Sequence, residues 1–170
     1  LSSGVSVIYS STRAFAALKT DGSVVTWGNS GYGGNSSSVS SSLSGGVSVI
    51  YSNNRAFAAL KTDGSVVTWG DSNKGGNSSS VSSSLTSGVS VIYSNWEGDA
   101  FAALKTDGSV VTWGSFSNGG DPCVNSGNPY YTCLTNVSSL LSSGVSVITS
   151  AIGAFAALKT DGSVVTWGQS

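Results

Sequence analysis

An all-β fold of tandem antiparallel sheets is what this sequence predicts, and three observations carry the prediction. Fifteen residues, AFAALKTDGSVVTWG, recur unchanged at Ala14–Gly28, Ala56–Gly70, Ala100–Gly114 and Ala154–Gly168. Each copy sets an Asp-Gly pair between two apolar runs, a strong hairpin signal because such a turn needs residues that tolerate positive φ. Gly and Ser punctuate every stretch, so no 3.6-residue apolar period is sustained and no helix is expected. The copies start 42, 44 and 54 residues apart. A period in that range marks a repeat architecture, in which each unit buries its apolar surface only against neighbours.

The elements of the first unit follow in order. Val5–Ser10 (VSVIYS) is rich in β-branched and aromatic residues and reads as a strand. Ala14–Thr20 and Ser23–Gly28 are two further strands joined by Asp21-Gly22. Read as a two-residue turn, that pair sets Lys19 opposite Val24, Leu18 opposite Val25 and Ala16 opposite Trp27. Alternate residues share a face, so Leu18, Val25, Ala16 and Trp27 are expected on one side and Phe15, Ala17, Val24 and Thr26 on the other. Both faces are then apolar, whereas a sheet with one wet side alternates more cleanly. Each sheet is therefore expected between two neighbours. Trp27, Trp69, Trp113 and Trp167 are expected in the core, each burying about 200 Å², or about 5 kcal/mol of gross transfer energy. The Gly- and Ser-rich connectors carry Val39, Leu43, Val81 and Leu85 at matching positions, which suggests ordering against the sheets and a short fourth strand near Ser38–Leu43.

The chain reads as one repeat domain over residues 1–170, with units at approximately 1–42, 43–86, 87–142 and 143–170 and an insertion at 122–133. Cys123 and Cys133 lie in that insertion with both prolines. A disulfide between them would restrain the excursion by roughly 2–3 kcal/mol and would imply an oxidising compartment; two reduced thiols are the alternative. The chain begins at Leu1 and contains no Met, which points to a processed product or an excerpt.

Composition narrows function by exclusion. Charged residues make up 9% of the chain and the net charge is −1, so no basic footprint for nucleic acid is present. No apolar run approaches the roughly 20 residues of a membrane span, and no signal-peptide pattern is present. Without His, neither a Ser-His-Asp triad nor a Cys-His pair can form. Glu97 and Asp99 are the only acids close enough in sequence to suggest paired carboxylates, and they sit in a loop outside the repeated block. No metal-ligand or phosphate-cradling motif appears. No enzyme, cofactor or metal is expected.

The order Ala17-Leu18, Asp21-Gly22, Trp27-Gly28 and then Asn29…Gly33, repeated from Ala59-Leu60 onward, resembles the regulator-of-chromosome-condensation repeat. The resemblance covers nearly the whole chain outside 122–133 and implies β-propeller blades stacked around an axis. The units are shorter and fewer than the family's usual ring of about seven blades, and Gly33-Gly34-Asn35-Ser36 stands where the family commonly continues differently. The family's nucleotide-exchange and chromatin-binding activities rest on loops and charged surfaces with no match here, so the resemblance implies fold and not activity. With four hairpin units and three connectors, the chain reads either as a closed four-bladed ring or as a segment of a longer array or assembly. The missing fourth connector favours the second.

Two functional expectations follow. The first is a non-enzymatic extracellular or cell-surface structural protein, a glycosylated scaffold or filament that joins copies of itself or further repeats. Sequons at Asn35, Asn77 and Asn136 are its glycosylation candidates. The second is a binding module for carbohydrate or protein. Its variable loops before each block, Ser11–Arg13, Asn53–Arg55, Asn95–Asp99 and Ala151–Gly153, would form the surface, with Trp96, Arg13 and Arg55 as recognition residues.

Overall fold

The computed structural model describes residues 3–125 and 133–169, and of residues 123–125, 133 and 134 the backbone alone. Blade 1 is β1 (Val5–Ser10), β2 (Ala14–Lys19) and β3 (Val24–Gly28). Blade 2 is β4 (Val47–Ser52), β5 (Ala56–Lys61) and β6 (Val66–Gly70). Blade 3 is β7 (Val89–Asn95), β8 (Ala100–Lys105) and β9 (Val110–Gly114). Each is an antiparallel three-stranded sheet in chain order. Blade 4 contains β12 (Val145–Ser150), β13 (Ala154–Lys159) and β14 (Val164–Gln169). The described ends of the insertion, β10 (Cys123–Asn125) and β11 (Cys133–Asn136), extend it to five strands, with β10 parallel to β14.

The hairpin turn corrects the expected register. Lys19 N–H donates to the Ser23 carbonyl and Gly22 N–H to that of Lys19, both at 2.9 Å. That is a three-residue loop, Thr20-Asp21-Gly22, ending in a left-handed glycine at φ 77°. The Asp21 carboxylate closes it by accepting the Ser23 N–H at 2.9 Å and the Ser23 hydroxyl at 2.6 Å. Leu18 therefore faces Val24, Ala16 faces Thr26, and Phe15 rather than Ala16 faces Trp27. A one-residue slip regroups every side chain. Each blade thus has an aromatic face (in blade 1 Ile8, Phe15, Ala17, Val25 and Trp27) and an alanine face (Tyr9, Ala14, Ala16, Leu18 and Val24).

The core is three copies of one joint. The alanine face of blade 1 packs on Ile50, Phe57, Ala59 and Trp69 of blade 2. Blade 2 meets blade 3 in the same way, and blade 3 meets blade 4. Leu43, Leu85 and Leu141 of the connectors complete the three clusters. Backbone bonds reinforce each joint, since the carbonyls of Gly22, Gly64 and Gly108 accept the N–H of Val47, Val89 and Val145 at 2.9–3.0 Å.

Among the described residues no blade covers the aromatic face of blade 1 or the alanine face of blade 4. Trp27 is accordingly 36% exposed, while Trp69, Trp113 and Trp167 are 1–2% exposed. The expectation of four core tryptophans is corrected at Trp27, and among the described residues the four blades do not close on one another. A second correction concerns the connectors, where the strand expected near Ser38–Leu43 does not form. Short 3-10 turns stand there instead, at Ser37–Val39 and Ser79–Leu85. The side chains of Asn35 and Asn77 accept the N–H two residues on, at 3.0 and 2.9 Å, a local bond that competes with sheet pairing.

Candidate functional site

Chain direction sorts the charges. Lys19 and Asp21, with their counterparts Lys61/Asp63, Lys105/Asp107 and Lys159/Asp161, all sit at the hairpin end of the blades. The other seven charged residues, Arg13, Arg55, Asp71, Lys74, Glu97, Asp99 and Asp121, lie in loops that lead into β2, β5 and β8 or follow β6 and β9. Those loops share the opposite end, because the first residue of each middle strand pairs with the last of its hairpin, as Ala14 does with Gly28. The variable segments singled out from the sequence are thus gathered on one surface.

One device builds that surface in three blades. Ser11, Asn53 and Asn95 are buried and tie the loop before the block to the 3-10 turn after it. The Ser11 hydroxyl donates to the Tyr32 carbonyl at 2.8 Å. Asn53 Nδ2 donates to the Lys74 carbonyl at 2.8 Å, while its Oδ1 accepts the N–H of Arg55 and Ala56 at 3.0 and 2.8 Å. Asn95 bridges Asn118 and Ala100 likewise. Backbone bonds then link the loops sideways, Thr12 N–H to Asn54 O and Asn54 N–H to Trp96 O, both at 3.1 Å. The surface is held from blade to blade by hydrogen bonds, so its side chains start from ordered positions.

Of the expected recognition residues, Arg13 and Arg55 come together. Both guanidinium groups stand 5.1 Å from the ring centre of Tyr32, within cation–π range. Arg55 also meets Asp71 at 3.6 Å. Trp96 lies one blade further on and lines a separate cleft of about 380 Å³ with Glu97, Ser150 and Ile152. Both Trp96 and Ile152 are exposed.

A groove of about 530 Å³ continues the surface between the connectors that follow blades 2 and 3, lined by Lys74, Asn77, Trp113, Phe116, Ser117 and Asp121. Burial raises the Asp121 carboxyl above its ordinary range. Beside the groove, Lys74 pairs at 3.1 Å with Asp99, whose side chain is nearly buried. Asp99 adopts φ 57°, where a non-glycine residue is strained. Its second oxygen, Oδ1, is buried without a hydrogen-bond partner. Tyr32, Asp71 and Lys74 were not anticipated from sequence, nor was the bracing role of Asn53 and Asn95 within the loops singled out. The available signal was a Ser or Asn directly after VSVIYS in each of the first three units.

The remaining site residues divide. Asn35, Asn77 and Asn136 are all exposed, and Asn136 Oδ1 accepts the Ser138 N–H at 2.9 Å, in the manner of the other two. The side chains of Cys123 and Cys133 lie outside the described residues; in the backbone register Cys133 faces Asn125 and Cys123 faces Asn136. Among the described residues no group of three His, Cys, Asp or Glu could hold a metal ion, and no helix is long and apolar enough to cross a membrane.

Repeated small sheets packed face on face, with loops collected at one end, define a protein of the β-propeller type. Solved structures agree. Prp20p from Saccharomyces cerevisiae, studied for its binding to Gsp1p and histones, aligns with a TM-score of 0.59 at 16% identity over 96% of this chain and 44% of its own. The same yeast RCC1 (Prp20) bound to Kap60 gives 0.57 at 16% identity, over 95% of this chain and 41% of its own. Human WBSCR16 gives 0.55 at 18% identity, over 99% and 48%. The fold is therefore that of RCC1-like propellers, and the chain spans less than half the length of these structures. No family model matches the sequence, and neither does any curated protein.

Proposed function

We propose that this chain is a non-enzymatic recognition module that needs no cofactor and binds a protein partner through the loop end of its blades. One observation carries the reading: all seven charges outside the repeated block stand on that end, on loops braced by buried Ser11, Asn53 and Asn95. An ordered surface lowers the entropy lost on binding, and Arg and Trp are the residue types that dominate binding energy at interfaces. Yeast RCC1 has protein partners, which makes the same class of partner the first to test here. The test is a pull-down from the native source with wild-type chain and with the triple variant Arg13→Ala, Arg55→Ala, Trp96→Ala. Partners retained by wild type and lost by the variant support the reading; equal retention overturns it. Glycan-array binding lost on Trp96→Ala would move the partner to carbohydrate.

A second reading, an extracellular or cell-surface scaffold that self-associates and carries glycans, is favoured by the exposure of all three sequon asparagines. With charge so scarce, attached sugar would supply solubility, and a Cys123–Cys133 bond would suit that compartment. Intact mass of native material tests it: added hexose mass and an oxidised cysteine pair are expected, and an unmodified mass with two free thiols sinks it.

A further inference from the structure

The two ends of the blade stack are the two halves of a joint that the chain makes three times internally. At one end the aromatic face of blade 1 is bare, with Ile8 56%, Phe15 43%, Val25 41% and Trp27 36% exposed. At the other the alanine face of blade 4 is bare, with Val147 45%, Leu158 43% and Val164 61% exposed. Inside the stack the same positions are closed: Phe57, Phe101 and Phe155 are 0–2% exposed. On the blade 1 side the donor of the joint is left over as well. Trp69, Trp113 and Trp167 each donate the indole N–H to a carbonyl of the preceding connector, whereas Trp27 Nε1 finds no acceptor among the described residues. A Cβ on Gly22, Gly64 or Gly108 would lie 2.8–2.9 Å from the backbone of the next blade, while one on Gly162 meets nothing within 4 Å.

We infer that the bare aromatic face of blade 1 is the seat for the bare alanine face of blade 4 in a second copy of this chain, so that copies join head to tail. The occupant follows from identity of sequence. Phe15, Ala17, Val25 and Trp27 are the residues that Phe57, Ala59, Val67 and Trp69 present to blade 1, and Ala154, Ala156 and Leu158 repeat the Ala14, Ala16 and Leu18 that receive them. The two sheet faces are therefore matched in shape and register, while the connector leucine and the glycine carbonyl of the internal joints have no counterpart after β14 among the described residues. Contiguous apolar patches of this kind mark interaction surfaces. The joint is heterologous, so each copy keeps one free half and association extends the same arc, ending in a ring if the rotation closes and in a filament if it does not. This inference rests on the scaffold reading and supplies its joint.

Light scattering coupled to size exclusion on the 170-residue chain tests it, across dilutions. Wild type is expected to associate. Trp27→Glu and Val164→Glu, each on an exposed position of the monomer, are each expected to weaken association at least about tenfold, because a buried unpaired charge opposes the joint. Circular dichroism and melting of the diluted variants check that both stay folded. Mixing the two variants is the decisive arm. Each retains the half that the other has lost, so a one-to-one complex is expected from the mixture and from neither alone. A wild-type chain that stays monomeric at all concentrations overturns both the joint and the self-associating scaffold. Association that survives both substitutions, or a mixture that stays monomeric, overturns the joint and leaves the scaffold reading standing.

Discussion

Trp69 donates its indole N–H to the carbonyl of Gly33 at 3.0 Å, across the joint between blades 1 and 2. Phe57 stacks on the same indole at 5.2 Å between ring centres. Trp27 stacks on Phe15 in nearly the same way, at 5.4 Å, but has no blade in front of it. Identical residues in an identical block thus differ only in their place along the stack. Trp69→Ala should cost about 3–5 kcal/mol, the usual range for a buried aromatic. Trp27→Ala in the monomer should cost less, about 2 kcal/mol, since 36% of its surface is already wet. Urea unfolding of the two variants measures the difference, and equal losses would contradict the joint.

Glycines test the same joint through the backbone. Gly22 and Gly162 occupy equivalent turns with φ of 77° and 84°. Replacing either by Ala carries the left-handed penalty of about 1–2 kcal/mol. At Gly22 the new methyl would also stand 2.9 Å from Gly46 N, while at Gly162 nothing is within 4 Å. Gly22→Ala should therefore destabilise more than Gly162→Ala by at least about 1 kcal/mol. Thermal melts of the two proteins decide the point.

Much of this fold is legible in the sequence, for reasons that particular residues make plain. The verbatim block announces the repeat, Asp21-Gly22 locates the hairpin, and apolar residues on both faces imply neighbours on both sides. The register is not legible. Asp-Gly suits a two-residue turn and equally the last two places of a three-residue loop, and Ser23 decides between them by bonding to Asp21. The sandwich prediction survives the slip because either grouping of side chains is apolar. Exposure of Trp27 is not legible, as four identical blocks carry no mark of whether the last blade closes on the first. The loop-end site is half legible: the variable segments point to it, but the bracing by Asn53 and the meeting of Arg13 and Arg55 over Tyr32 need three dimensions.

Lys74 and Asp99 make a coupled pair. Lys74→Ala leaves a nearly buried carboxylate whose other oxygen already lacks a partner. Loss of about 2–3 kcal/mol is expected, toward the range for breaking a buried pair but below it because Lys74 is partly exposed. Asp99→Asn keeps a side chain that tolerates φ 57° and removes the charge. The double variant should therefore be more stable than Lys74→Ala alone. A double-mutant cycle by chemical denaturation measures the coupling, and simple additivity would show that the pair does not interact.

The hairpin-end aspartates set an acid limit on stability. The Ser23 hydroxyl, then the Ser23 N–H, lower the Asp21 carboxyl to about 2. The same serine contacts lower Asp63, Asp107 and Asp161. A carboxylate whose folded value lies below its unfolded one, about 3.9, binds fewer protons when folded, so stability rises with pH through that interval. The contribution is complete above pH 4 or so and fades as the pH falls toward 2. Melting temperature should accordingly drop between about pH 4 and pH 2. In a variant carrying Asp21→Asn, Asp63→Asn, Asp107→Asn and Asp161→Asn, the slope over that window should be shallower, because the neutral amides have no proton to take up. Parallel slopes in the two proteins would mean that the serine-bonded turns are not what acid attacks first.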